Sequence, residues 1–327
     1  MLAYIIRRIF FALPILFGVN LITFMLFFMV NSPDDMARFQ LGTKYSTPAG
    51  IEQWKHVQGY DKPLFFNAGQ EGIKTLTDTL FFQKSLRLFA FEFGASQRGR
   101  DIGFDIKQRM WPSLAVAIPT LILGLFLNIV FALLLAFFRG TYLDLWGVML
   151  CIILMSISAL FYIIGGQYLF AKVLRLMPIS GYQGGLAAIN FLLLPVAVAV
   201  LGGIGAGTRW YRTIFLEEIS KDYVRTAKAK GLSDAVILFR HVLKNGLIPI
   251  LTGVVVIIPS LFMGSLILES FFGIPGLGSY TIDAITQQDF EIVRVMVFLG
   301  TLLYVLGLIL TDISYTLVDP RVRLLKD

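Results

Sequence analysis

Long apolar stretches alternate with polar segments along the chain. Six of these stretches lie at about 9–30, 112–138, 146–171, 186–207, 247–269 and 293–315. A run of about 20 apolar residues forms a helix long enough to cross the hydrocarbon core of a bilayer. The pattern therefore predicts an all-α polytopic membrane protein with six transmembrane helices.

Basic residues predict how these helices are oriented. Lys and Arg collect in the short cytoplasmic loops of membrane proteins. Segment 270–292, which follows the fifth stretch, contains no Lys or Arg. The basic residues predicted to lie on the opposite side are Arg7, Arg8, Arg139, Arg209, Arg212, Lys221, Arg225, Lys228, Lys230, Arg240, Lys244, Arg321, Arg323 and Lys326. Both termini are therefore predicted to be cytoplasmic, and the polar insert 31–110 to be extracytoplasmic.

The second polar region, 216–231, interrupts the apolar pattern with a charged helix. Lys221, Arg225 and Lys228 are spaced to share one face, and Ile219, Tyr223 and Ala227 form a separate stripe. Gly231 is suited to stop this helix, and Ser233 to cap a second one that runs to about Lys244 and ends at Asn245-Gly246. Spacing alone allows two interpretations: a docking element for another protein, or a basic loop lying on anionic lipid.

Composition excludes several functions. The chain is 57% hydrophobic and 15% charged, so its net charge of +7 is better explained by cytoplasmic loops than by nucleic-acid binding. The centres of the six stretches contain no ionisable residue, which argues against a proton-coupled carrier. The phosphate-binding pattern GxxxxGK[ST] is absent, so ATP hydrolysis by that route is excluded. No internal disulfide is expected, since Cys151 is the only cysteine. No metal site is expected either, since the two histidines, His56 and His241, are predicted to lie on opposite sides of the membrane.

Proline and glycine suggest local features of the spans. Pro119, Pro195 and Pro259 are predicted to lie inside spans, as kinks that neighbouring helices accommodate. Gly203 and Gly207 are predicted to form a small-residue pair for close helix packing.

A turn rich in glycine and proline follows the fifth stretch. Glu269 is an acidic group at the predicted outer end of this span, and Pro275, Gly276 and Gly278 shape the chain after it. These four residues are predicted to form an outer gate, where Glu269 would meet the amino terminus of a substrate or a lysine of a partner. An alternative is that Glu269 only caps or solvates the helix end.

The segment Tyr223–Ser233, with sequence YVRTAKAKGLS, resembles the EAA loop of binding-protein-dependent ABC importer permeases, in the form found in the oligopeptide/dipeptide family. Further similar segments are Tyr4–Arg8, Asp61–Leu64, Phe93–Ser96, Arg240–Pro249, Phe272–Gly278 and Val318–Arg323. Two positions depart from the pattern. Asn31–Asp35 stands where the family often has Pro-Gly-Asp-Pro, and Arg225 stands at the glutamate of the general EAA pattern.

The resemblance implies a type I ABC importer permease fold. It implies a membrane helix at 1–30, an extracytoplasmic insert at 31–110, a permease core at 111–320 with a coupling helix at about 216–231, and a cytoplasmic tail at 321–327. The residues implied in ATPase coupling are Glu218, Asp222, Tyr223, Arg225, Thr226, Ala227, Ala229 and Gly231.

The resemblance also implies a set of partners in the bacterial inner membrane. These are a homologous permease subunit, two ATPase subunits that carry ATP and Mg²⁺, an extracytoplasmic substrate-binding protein, and lipid. The chain itself is expected to bind no cofactor, metal or nucleic acid and to have no enzymatic activity. The cargo is expected to be a peptide, with nickel or a peptide-like antibiotic as alternatives. Two other classes stay open: a self-sufficient secondary carrier or channel and, with less support, a membrane enzyme.

Overall fold

The computed structural model describes residues 2–30 and 32–318, and the regular elements in these ranges are helices. Five of them are long and apolar enough to cross a membrane: Ile6–Phe28, Ile102–Phe137, Gly185–Ile219, Asp234–Met263 and Phe290–Ser314. A bent pair, Tyr142–Ser156 and Ala159–Val173, brings the number to six if it forms one span. The predicted class, an all-α polytopic membrane protein, is confirmed.

The helices follow one another along the chain with short connections. They are α1 (Leu2–Val30), α2 (Pro33–Tyr45), α3 (Pro48–Gln58), α4 (Lys74–Thr77), α5 (Leu80–Lys84), α6 (Ile102–Phe137), α7 (Tyr142–Ser156), α8 (Ala159–Gly166), α9 (Ala188–Ile219), α10 (Asp222–Ala229), α11 (Asp234–Ile237), α12 (Leu243–Ile257), α13 (Leu266–Phe272), α14 (Leu277–Thr286) and α15 (Phe290–Val318). Short 3₁₀ turns lie at Leu86–Ala90, Gly185–Ala187 and Pro259–Met263, and π-helical turns at Gln167–Val173 and Leu238–Val242.

The chain divides into two compact units. The first comprises the chain up to Gln108 together with Thr281–Val305, and the second comprises Arg109–Tyr280 together with the chain from Leu306. Each unit has its own apolar clusters of buried side chains.

In the first unit, the described part of the predicted insert, from Ser32 onward, folds mainly as short helices. Ser32 and Asp35 form a capping box at the start of α2, and Thr47 accepts a hydrogen bond from the Gly50 amide at the start of α3. Proline occupies the first position of both helices, where no backbone donor is required. A buried cluster of Phe24, Phe28, Met36, Tyr60 and Leu80 joins the insert to α1. The end of the predicted insert, from Ile102 onward, is the beginning of α6.

The third predicted span, 146–171, is not one straight helix. The chain bends by 87° between α7 and α8. The backbone of Ile157 is extended, with ψ at 128°, so it cannot continue the helical hydrogen-bond pattern. The Tyr162 hydroxyl donates to the Leu154 carbonyl oxygen at 2.7 Å, which satisfies one of the acceptors left at the end of α7.

The fifth predicted span, 247–269, is shifted towards the N-terminus. Helical structure runs from Asp234 to Met263, so Asn245-Gly246 does not end a separate helix as predicted. Gly246 instead lies inside α12, where the Phe215 ring packs so closely that a Cβ atom would lie 2.6 Å from it. Pro259 lies two residues after the last residue of α12 and begins a 3₁₀ turn, so it stands beyond the regular helix rather than kinking it.

The fourth span extends further than predicted, because α9 continues to Ile219. Arg209 and Arg212 therefore lie within a helix rather than in a loop. The predicted pair of small residues is correct only at Gly207, where a Cβ atom would lie 2.5 Å from Asn128 Nδ2 of α6. A Cβ atom at Gly203 would meet no other atom within 4 Å, and the close approach to α7 occurs at Gly205, where it would lie 2.5 Å from the Cys151 carbonyl oxygen.

Two features used in the sequence analysis lie outside the described residues. They are Asn31 and the tail from Asp319 onward, which includes Arg321, Arg323 and Lys326.

Candidate functional site

The predicted coupling segment is a short helix between two turns. Residues 216–219, assigned by sequence to the same helix, belong to the end of α9, and α10 spans Asp222–Ala229. Lys221 has extended backbone, so the chain changes direction between the two helices. The predicted single helix over 216–231 is therefore wrong in its boundaries, although the stop after Ala229 agrees with the position of Gly231.

One face of α10 packs into the apolar core of the second unit, to which α10 belongs. Val224 and Ala227 are buried in a cluster with Phe215, Ile237 and Val242. Tyr223 is half-buried beside them, as the predicted stripe of Ile219, Tyr223 and Ala227 requires. The stripe is thus confirmed as the inward face, and the burial of Val224 adds a residue that the spacing argument missed.

Glu218 joins the end of α9 to α10. Its carboxylate is buried, accepts a hydrogen bond from the Tyr223 hydroxyl at 2.8 Å, and pairs with Lys221. Burial raises the pKa of Tyr223, so its hydroxyl keeps its proton and remains a donor at neutral pH. Glu218 therefore fixes the angle between the two helices.

The other face of α10 is exposed. The side chains of Asp222 and Arg225 are 93% and 80% exposed, and Arg225 Nη1 lies 3.4 Å from Asp222 Oδ1. Thr226, Ala229 and Gly231 are exposed as well. The eight predicted coupling residues thus divide into an inward group that seats the helix and an outward group available to a partner.

A Schellman motif ends α10. The Gly231 amide donates to the Lys228 carbonyl oxygen at 2.9 Å, and the Leu232 amide donates to the Ala227 carbonyl oxygen at 3.3 Å. Gly231 has φ at +79°, a region that residues with a Cβ atom rarely adopt. The predicted role of this glycine as a helix stop is confirmed.

The next helix begins at once and is tied to α10. Ser233 caps α11 by accepting a hydrogen bond from the Val236 amide, as predicted. Lys228 forms an ion pair with Asp234 at 2.8 Å. Because α11 leads directly into the fifth span, α10 is connected to that span by a tight turn and an ion pair.

A cavity of about 730 Å³ lies elsewhere in the second unit. Its wall is formed mainly by apolar side chains of α6, α8, α9 and the 257–269 segment. Polar groups are few and include Ser113, Ser260, Ser265 and Glu269. A mostly apolar wall with a few polar groups is typical of a site for a small organic ligand.

Glu269 is buried, and its carboxylate organises the turn that follows α13. Oε2 accepts hydrogen bonds from the amides of Gly278 at 2.8 Å and Ser279 at 3.1 Å, and Oε1 accepts one from the Ser265 amide at 3.2 Å. A Cβ atom at Gly276 would overlap the carboxylate, and one at Gly278 would lie 2.6 Å from the Ser265 carbonyl. The two glycines thus allow the backbone to close around the acid.

This arrangement bears on the predicted outer gate. Glu269, Gly276 and Gly278 are brought together, whereas Pro275 is exposed beside them. Glu269 lies beyond the end of the fifth span at Met263, and burial raises the pKa of its carboxyl against the effect of its hydrogen bonds. The gate role stays a prediction. Glu269 also has a structural role, of the kind that the capping alternative anticipated, although two of its amide donors lie at the start of α14 rather than in its own helix.

The sequence analysis also missed an ion pair inside the second unit. Arg212 of α9 donates to both carboxylate oxygens of Asp144 of α7, at 2.9 and 2.7 Å. Such a bidentate pair has the geometry of a strong, charge-assisted contact. The signal was available, because Asp144 begins an apolar run that the predicted third span entered two residues later.

Among the described residues, no group of three or more His, Cys, Asp or Glu side chains could hold a metal ion.

Comparison with known proteins gives the family. A sequence model described as the binding-protein-dependent transport system inner membrane component matches residues 128–324, which include α10, the turn at Gly231 and most of the cavity wall. The chain belongs to this family. A companion model for the N-terminal part of such membrane components matches residues 1–79, in α1 and the insert.

Relatives match over their whole length. The chain is 28% identical to the dipeptide transport system permease protein DppB of Bacillus subtilis, covering 100% of this chain and 99% of the relative. It is 30% identical to DppB of Lactococcus lactis subsp. cremoris, covering 99% and 100%. It is 28% identical to the oligopeptide transport system permease protein AppB of B. subtilis, again covering 99% and 100%.

Proposed function

We propose that this chain is the permease subunit of an ATP-driven peptide importer and that α10 couples it to an ATPase subunit. The single observation that carries the coupling is the two-sided construction of α10. Its inner face is buried against α9, α11 and α12, and its outer face exposes a charged surface in a region predicted to be cytoplasmic. A partner that pushes on this face moves a helix that is packed against the spans.

Transport then follows from alternating access. ATP closes the ATPase dimer, and α10 transmits the movement through the Glu218–Tyr223 contact to α9 and through Lys228–Asp234 to the fifth span. The spans change from an inward-facing to an outward-facing arrangement, and hydrolysis resets them. A partner drives such a change only by binding the two states with different affinity.

A peptide is the cargo that the permease relatives and the cavity both favour. The relatives are named as dipeptide and oligopeptide permeases. The apolar wall accepts varied side chains, and the scattered serines and backbone groups pair with a peptide backbone. A homologous permease would complete the path, and a substrate-binding protein would deliver the peptide from outside.

Charge reversal of Arg225 tests the coupling. The Arg225 side chain is 80% exposed, so Arg225→Glu is expected to leave folding unchanged, since exposed substitutions usually alter stability little. The ATPase subunits should co-purify in reduced amount and lose peptide stimulation. Arg100→Glu is the matched control, because Arg100 is also exposed but lies in the insert. Normal co-purification and stimulation with Arg225→Glu would reject α10 as the docking helix.

A further inference from the structure

The first unit contains a second cavity, of about 390 Å³, with a charged lining. Its wall includes Lys84, Arg87 and Arg294, the acids Glu92 and Glu291, and His56. Its volume falls within the range of sites for small organic ligands.

Glu291, one of the lining acids, already accepts several hydrogen bonds from its neighbours. Glu291 Oε1 accepts hydrogen bonds from the Tyr60 hydroxyl and from Lys84 Nζ, both at 2.7 Å, and Oε2 accepts one from Arg294. Burial raises the pKa of Tyr60 well above its usual range, so this hydroxyl remains a donor. One carboxylate therefore takes three donors, two of them from cations.

The cationic side chains have more hydrogen-bond donors than the described contacts occupy. An ammonium group has three N–H donors and a guanidinium group has five. In the described contacts, Lys84 donates one hydrogen bond and packs its Nζ 4.8 Å from the centre of the Tyr60 ring. Arg294 donates to Glu291, and its buried Nε has no partner among the described residues, although the side chain is only 6% exposed. A buried guanidinium with an unmatched donor is costly unless a further acceptor is supplied.

Arg87 adds a cation at the rim. Its Nη1 atom lies 3.8 Å from Glu92 Oε2. Both side chains are more than half exposed, so this ion pair is weak. Apart from His56, the wall carries three positive and two negative side chains. This charge balance favours an anion, and a planar carboxylate matches the fork of an arginine.

We propose that this cavity is a binding site for a small organic carboxylate, such as the carboxyl end of a short peptide. The volume exceeds what one acidic side chain of a partner would fill, which favours a free ligand. The site lies in the other unit from the 730 Å³ cavity, and its ligand is recognised by Lys84, Arg87 and Arg294. The proposal does not depend on ATPase coupling.

Calorimetric titration of the purified full chain in lipid nanodiscs tests the site. The probes are Ala-Ala and the same dipeptide with its carboxyl group converted to an amide. Ala-Ala should bind, and the amide should bind at least about tenfold more weakly, the effect of one lost charge-assisted hydrogen bond. Lys84→Gln and Arg87→Gln should each weaken Ala-Ala binding about tenfold by the same reasoning.

Lys74→Gln is the control, because Lys74 is an exposed lysine of the insert that does not line the cavity. Arg87→Gln guards against a folding defect, since Arg87 is 55% exposed. Equal affinity for Ala-Ala and for its amide would overturn the proposal. Binding of Ala-Ala that neither Lys84→Gln nor Arg87→Gln weakens would also overturn it, because the dipeptide would then bind elsewhere. A further outcome would also overturn the proposal: Ala-Ala does not bind, but Lys84→Gln and Arg87→Gln weaken capture of the substrate-binding protein. In that case the carboxylate that these cations recognise belongs to the partner protein.

Discussion

At the residue scale, Gly231 controls how α10 ends. Its φ of +79° is accessible to glycine at little cost, and no atom lies within 4 Å of a Cβ placed there, so substitution strains only the backbone. Gly231→Val should impair peptide-stimulated ATPase activity of the reconstituted complex most strongly, because a β-branched residue resists positive φ. Gly231→Asn should impair it least, since Asn tolerates the left-handed region.

Comparing the two variants separates an effect of backbone strain at position 231 from a reduced amount of protein in the membrane. Membrane abundance and co-purification of the ATPase should stay normal in both variants. If peptide stimulates ATPase activity equally well in the Gly231→Val and Gly231→Asn complexes, the backbone conformation at position 231 does not matter for coupling.

The hydrogen bonds around Glu269 determine what the Glu269→Gln substitution would change. Glu269→Gln preserves size and removes charge, but both carboxylate oxygens accept hydrogen bonds from backbone amides. The amide group of glutamine has one acceptor oxygen, so its NH₂ must face a backbone donor. An unmatched buried donor costs about 1–3 kcal/mol.

Glu269→Gln is therefore expected to lower the thermal unfolding midpoint of the detergent-purified chain. Ser260→Ala is a suitable comparison, because Ser260 lines the same cavity but its hydroxyl donates only to the Ile257 carbonyl of its own turn. An unchanged unfolding midpoint in Glu269→Gln would mean that the acid does not stabilise the turn, and would favour the gate role.

At the element scale, Asp144 and Arg212 fasten α7 to α9. Their side chains are 10% and 21% exposed. Removing one partner of a buried pair leaves an uncompensated charge, at a cost of about 3 kcal/mol. Arg212→Met should therefore lower the unfolding midpoint clearly, and adding Asp144→Asn should restore part of the loss. A double variant no more stable than Arg212→Met would show that the two residues are not coupled.

The elements differ in how far sequence could predict them. The class and the long helices followed from hydrophobic length, which depends only on the bilayer. The Gly231 stop and the Ser233 cap followed from local backbone chemistry. The bend at Ile157 and the extension of α9 to Ile219 did not, because each depends on tertiary partners. The Tyr162 hydroxyl comes from beyond the bend, and Arg212 is tolerated in α9 because Asp144 lies opposite.

The candidate site shows the same division. Spacing placed Tyr223 and Ala227 on one stripe, and their burial agrees with it. It could not show that Glu218 belongs to the preceding helix, because α9 and α10 are separated only by Ser220 and the extended Lys221. The Lys84–Glu291–Arg294 cluster joins residues 207 positions apart at its widest contact, which no local pattern indicates.

At the scale of the whole molecule, the sidedness of the insert tests the topology. Cys151 is buried and is the only cysteine, so a Cys151→Ser background allows single-cysteine labelling. Gln70→Cys, exposed in the insert, should react with an impermeant maleimide in intact cells stripped of the outer membrane. Thr226→Cys, exposed on α10, should react only after the cells are opened. The reverse pattern would overturn the assigned orientation.

The last prediction concerns the 730 Å³ cavity as part of the path. Ala199 lines it from α9, whereas Ala197, two positions away on the same helix, is exposed and does not line it. Residues two apart on a helix point to different sides. Ala199→Trp should therefore fill the cavity and abolish uptake of a labelled dipeptide, whereas Ala197→Trp should not. Co-purification of the ATPase and the partner permease must be normal in both variants for the comparison to hold. If Ala199→Trp transports as well as Ala197→Trp, peptides do not pass through this cavity.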